Sequence, residues 1–150
     1  MSPELALIPQ YIIKRGNKIQ ENILSIFLGT AFLSLLAQIA IPLPWTPVPI
    51  TGQTFGISLM SLIWGRKRAT AVILSYLTLG IIGLPIFAMA KSGLSIGPTT
   101  GYLVGMAVAT YWMGTLSDWG WTNSWWRSYL VAASGSSIIF LCGVLGLSLF

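Results

Sequence analysis

A few side chains stand beside helix-breaking residues in an otherwise apolar chain, and their chemistry is that of holding a polar ligand. Gln53 follows the prolines Pro42, Pro44, Pro47 and Pro49. Its primary amide offers two donors and an acceptor, and leaving these in an apolar medium is costly, so Gln53 belongs against a protein interior or a water-filled pocket. Thr51 has two readings: a helix cap whose hydroxyl takes an orphan N–H, or a ligand contact. The segment from Gly80 through Gly83 and Pro85 to Phe87 cannot stay a regular helix. It is either a simple helix exit or a broken stretch whose freed N–H and C=O groups meet a substrate. Lys91 comes next, before Gly93, Gly97 and Pro98; it is either a solvated loop charge or a ligand's counter-ion. Tyr102 lies between Gly101 and Gly105, amphipathic and able to line a pocket. The glycine pair itself reads as close helix packing, as does the run Ala132, Ala133, Ser134, Gly135, Ser136 and Ser137. Cys142 reads as a small apolar residue.

Bond-breaking chemistry has few parts to work with. The chain holds no histidine, one cysteine and three acids, Glu4, Glu21 and Asp118. A Cys/His metal cluster, an intrachain disulfide and a histidine-dependent triad are therefore excluded. The expectation is a binding protein, not an enzyme, with no cofactor and no metal. The eight basic residues are scattered in short groups, unlike a nucleic-acid patch, and read better as topology signals.

The elements that position these residues follow from charge. Of the 150 residues, 55 % are hydrophobic and 7 % charged, where an ordinary soluble domain carries roughly 25 % charge; mean hydropathy is +0.80. This composition predicts an all-α integral membrane protein forming a single membrane domain over 1–150. The charge-free run 22–65 would make one helix of about 66 Å, twice the roughly 30 Å hydrocarbon core, so it must break, and the four prolines mark where. Five spans are expected, at about 22–41, 51–65, 69–90, 99–117 and 128–149. A cleaved signal peptide is the competing reading of the first, but its apolar stretch is too long and no small-residue cleavage site follows. With the N-terminus cytoplasmic, Lys14, Arg15, Lys18, Arg66, Lys67, Arg68 and Arg127 lie inside and Lys91 alone outside, as the positive-inside rule requires. The C-terminus then ends outside. Trp64, Trp119, Trp121, Trp125 and Trp126 read as anchors in the headgroup zone.

Three motifs resemble one family. Ala37-Gln38-Ile39-Ala40-Ile41-Pro42-Leu43-Pro44 followed by Thr46-Pro47-Val48-Pro49-Ile50-Thr51-Gly52-Gln53-Thr54 looks like the BioY family. So do Gly80-x-x-Gly83-Leu84-Pro85-x-Phe87-Ala88 and Gly97-Pro98-Thr99-x-Gly101-Tyr102-Leu103-x-Gly105. The resemblance covers about residues 31–115. It implies a six-helix substrate-binding (S) component of an energy-coupling factor (ECF) transporter, capturing biotin from outside at a prokaryotic plasma membrane. It further implies a membrane scaffold (T) subunit and two cytoplasmic ATPases as partners, with ATP used only by them. On this reading Gln53 and backbone near Gly83 would match the ureido ring, with Thr51 a further substrate contact. Pro85, Phe87 and Tyr102 would match the apolar ring and chain, and Lys91 the carboxylate. The family closes with a sixth helix entered through a Pro-Gly-Asp-x-x-Lys-like motif. Here no Asp or Lys follows Arg127, so the expectation is a truncated chain. The rival readings are a membrane adaptor or assembly subunit that transports nothing, and an inactive truncated transporter.

Overall fold

A computed structural model describes residues 18–93 and 97–149. The order is α1 (Lys18–Gln38), β1 (Ala40–Leu43), β2 (Thr46–Thr51), α2 (Gln53–Ile82), a 3-10 turn (Ala88–Ala90), α3 (Thr100–Asp118) and α4 (Trp125–Leu147). Lys14 and Arg15, which entered the charge count, lie outside the described residues.

The proline-rich stretch, expected as the break between two helices, is the one ribbon in an otherwise helical fold among the described residues. It is an antiparallel hairpin pairing Ala40 with Thr51, Ile41 with Ile50 and Leu43 with Thr46. A two-stranded ribbon tolerates proline because each strand has one unpaired edge, and the register slips between Ile41 and Leu43, where Pro42 has no N–H to give. The hairpin takes Ala40 and Ile41 out of the first expected span, so α1 ends at Gln38.

Although α2 is continuous in assignment, Gly65 breaks it with φ 70° and ψ −175°, a conformation essentially confined to glycine. Gln53 and Tyr76, 23 positions apart, would lie about 34 Å apart along a straight helix. Their side chains instead hydrogen-bond at 2.7 Å. The two limbs, 53–64 and 66–82, therefore fold back on one another at Gly65. The second limb begins at Arg66, whose N–H donates to both carboxylate oxygens of Asp118 at 3.3 Å, an anion placed where a helix N-terminus attracts one. The Ser117 hydroxyl donates to the Leu62 carbonyl at 2.8 Å, pinning the end of α3 to the same turn.

That limb ends at Ile82, short of the expected 90. Gly83 (φ 123°) terminates it: its N–H donates to the Gly80 carbonyl, and the Leu84 N–H to that of Leu79. This is a Schellman closure, which satisfies the last carbonyls.

The limbs of α2 form the centre, with α1 on one side and α3 then α4 on the other. Leu33, Ile57, Val72, Ile73, Tyr76, Met113 and Ile139 are among the buried apolar residues they share. The Gly101–Gly105 pair packs as expected: a Cβ at Gly101 would press on Gly146 and the Cys142 carbonyl, and one at Gly105 on Cys142. Of the expected packing run on α4, Gly135 is buried against Met113, whereas Ser137 is exposed. Helix hydroxyls are satisfied locally, as where Ser58, Thr78 and Thr110 donate to the carbonyls of Thr54, Leu74 and Met106. Two helices among the described residues, Ile19–Gln38 and Trp125–Leu147, are long and apolar enough to cross a membrane.

Candidate functional site

The fold-back at Gly65 brings both ends of α2 to the hairpin end of the molecule, and a cavity of about 220 Å³ opens there. Its walls are β2, the start of α2, the segment 87–93, the start of α3, and Ile139 with Phe140 of α4. Of the expected site residues, Thr51, Gln53, Phe87, Lys91 and Tyr102 line it.

Gln53 is 3 % exposed and faces both interior and cavity. Its Nε2 donates to the Tyr76 hydroxyl at 2.7 Å, and its Oε1 accepts from the Thr51 hydroxyl at 2.9 Å. An amide has two N–H donors and two carbonyl lone pairs, so one of each is left for a ligand. Thr51 caps α2 only weakly. The N-cap residue is Gly52, and the Gln53 N–H reaches the Thr51 hydroxyl at 3.4 Å, because that hydroxyl is already aimed at the Gln53 side chain.

Phe87 is buried, its ring edge-on to Tyr76 at 5.4 Å between centroids. Gly80 makes room for it, since a Cβ there would collide with the ring. Tyr102 lies flat over Gly143 and edge-on to Phe140 at 6.5 Å. Lys91 is exposed, and among the described residues it is the only charged side chain lining the cavity.

Gly83 and Pro85 are elsewhere. The Gly83 and Leu84 N–H groups are spent in the helix closure, so neither is left for a ligand. Pro85 lines a separate groove between α1 and the second limb of α2, with Ile26, Ser34 and Leu74. Thr54 also lines the cavity.

Two residues that sequence reasoning passed over hold this wall together. The Tyr76 hydroxyl, fully buried, accepts from Gln53 and donates to the Ile86 carbonyl at 3.1 Å. Gln38, at the end of α1, donates to the carbonyls of Phe87 at 3.1 Å and Ile86 at 3.4 Å, and its Oε1 accepts from the Ala90 N–H at 3.0 Å. The signal that marked Gln53, a primary amide or hydroxyl in an apolar span, marks these two equally. Asp118 lies at the opposite end, beside Arg66. Among the described residues no group of three or more His, Cys, Asp or Glu side chains could hold a metal.

Comparison with known proteins places this geometry. A model described as the BioY family matches residues 12–150. A biotin transporter BioY of Thermotoga maritima is 37 % identical over 123 residues, 81 % of this chain and 70 % of that one. Biotin transporter BioY2 of Lactococcus lactis is 33 % identical over 130 residues, covering 83 % and 68 %. The crystal structure of the S-component for biotin from an ECF-type ABC transporter superposes with a TM-score of 0.81 at 26 % identity, over 90 % of this chain and 76 % of that one.

Proposed function

The chain belongs to the BioY family, and from that premise we propose that it captures biotin in the hairpin-end cavity as the S component of an ECF-type ABC transporter. The observation that carries this is the convergence of Thr51, Gln53, Phe87, Lys91 and Tyr102, drawn from three separate stretches of chain, on one cavity. Biotin has a ureido ring, an apolar bicycle with an aliphatic chain, and a terminal carboxylate. The unused N–H and lone pair of Gln53 suit the first, Phe87 and Tyr102 the second, and the Lys91 ammonium the third. Buried apolar walls with a few placed polar groups are the usual make-up of a small-molecule site.

In the membrane, the five helical segments would each cross or nearly cross the bilayer within a single domain. The N-terminus and the Gly65 turn would be cytoplasmic, with the hairpin and cavity outside. Arg66, Lys67, Arg68 and Arg127 sit at or near the ends that this orientation turns inward, and exposed apolar side chains such as Phe27, Leu35, Leu141 and Leu145 would face lipid. The T subunit and the two ATPases of the ECF module are the partners this role requires. Nucleotide chemistry would belong to the ATPases, leaving this chain without enzymatic activity or cofactor, in a prokaryotic plasma membrane. The adaptor reading drew on free glycine faces, but Gly101 and Gly105 pack against α4 of the same chain, which favours the transporter reading.

The test is purification of the full chain in detergent from biotin-supplied cells. Biotin should be retained, or be taken up when added back; a folded chain that does neither refutes the proposal.

A further inference from the structure

Lys91 reaches the cavity from a strained turn. Met89 and Ala90 have φ of 59° and 54°, in the left-handed region that L-residues with a Cβ avoid. Two consecutive residues in that region persist only where their surroundings hold them. The turn closes on itself through the Phe87 N–H, which donates to the Lys91 carbonyl at 3.1 Å. Its flanks are anchored by the Tyr76 hydroxyl on the Ile86 carbonyl, by the buried Phe87 ring and by the Gly93 N–H, which donates to the Gly80 carbonyl at 2.8 Å. Among the described residues the side chain that bonds on both sides of the left-handed pair's start is that of Gln38. Gln38 donates to Phe87 and Ile86 carbonyls on one flank and accepts from the Ala90 N–H on the other. Gln38 itself does not line the cavity but stands in the groove between α1 and α2.

We infer that Gln38 is a positioning residue for the cavity's cation: its amide clamps the 86–90 turn in the left-handed shape that carries Lys91 to the ligand. The inference rests on the reading that Lys91 meets the biotin carboxylate. A primary amide suits the task because it alone supplies donors and an acceptor on one planar group, and the turn presents two carbonyls and one N–H within its reach. Without the clamp the turn relaxes toward ordinary φ values and the ammonium loses its place, while Gln53 and Tyr102, carried by other elements, and the Phe87 ring, anchored against Tyr76 and Gly80, keep theirs. The consequence is a loss of selectivity and not a general loss of binding.

The experiment measures binding of biotin and of its uncharged amide to the full chain in detergent. The wild-type chain should prefer biotin by about ten- to hundredfold, the worth of a charge-assisted hydrogen bond, and Lys91→Ala should abolish that preference. Gln38→Met, of similar length without polar atoms, should bring the ratio of the two affinities close to that of Lys91→Ala while binding of the amide changes little. Adding Met89→Gly and Ala90→Gly to Gln38→Met should restore part of the preference, because glycine adopts the turn's φ without strain. If Lys91→Ala weakens both ligands equally, the carboxylate reading falls and this inference with it. If Lys91→Ala loses the preference and Gln38→Met keeps it, the inference alone is overturned. Should Gln38→Met fail to fold, Gln38→Glu carries the test: it keeps the acceptor for Ala90 and replaces the donors with an oxygen that repels the two carbonyls. Lost preference in it supports the clamp, and wild-type preference refutes it.

Discussion

Gln53 does two jobs with one amide, which fixes what its removal should cost. In Gln53→Leu the Tyr76 hydroxyl keeps its bond to the Ile86 carbonyl, so the wall survives, while the ligand's ureido group loses a donor and an acceptor. Leaving a buried polar group unpaired costs about 1–3 kcal/mol, which is roughly ten- to hundredfold in affinity. Equilibrium binding should show that loss with the melting temperature nearly unchanged; an unfolded variant, or one with unaltered binding, would make the amide structural. Thr54→Val should cost less, because that side chain brings one hydroxyl to the cavity where Gln53 brings a two-sided amide. The cost of stranding an amide made Gln53 legible in the sequence. The same argument covered Gln38 and Tyr76, but their partners are carbonyls 48 and 49 positions away for Gln38, and no local pattern reveals those. Gly83, which does not line the cavity, shows the limit of such signals: a glycine before a proline shows that a helix ends, not whether its last carbonyls close on themselves.

Among the elements, α2 decides the site, because its reversal brings Gln53 against Tyr76. The reversal depends on Gly65, whose φ and ψ are closed to other residues and whose Cα faces the Asp118 carboxylate, so that a Cβ would collide with it. Gly65→Ala should therefore destabilise the chain by about 1–3 kcal/mol, read as a lowered melting temperature in detergent. Asp118→Ala should cost less, about 1 kcal/mol, as loss of a helix cap. Its ion pair with Arg66, at 4.0 Å and well exposed, adds little. An unchanged melting temperature in Gly65→Ala would contradict the assigned turn. This break was visible beforehand as charge, since Arg66, Lys67 and Arg68 interrupt an apolar run. The hairpin was not, because four prolines suppress any strand pattern, and only the edge character of a two-stranded ribbon accommodates them.

For the molecule as a whole, the arrangement of ends supports one orientation in the membrane. The Gly65 turn, the end of α3 and Arg127 share one end of the bundle, while the hairpin, Lys91 and the cavity share the other. A reporter fused after Phe150 should read the outer side; a cytoplasmic reading would mean that one helical segment does not cross. The central claim is that biotin occupies the hairpin-end cavity, and cysteine protection tests it most directly. In a Cys142→Ala background, which removes the chain's one native thiol, Thr54→Cys places a thiol on the cavity wall. Bound biotin should slow its alkylation by a small water-soluble reagent, with no such effect on a cysteine at Asn123, exposed in the loop between α3 and α4 and away from the cavity. Biotin that binds yet leaves the Thr54→Cys thiol as reactive as before would put the ligand elsewhere and contradict the account.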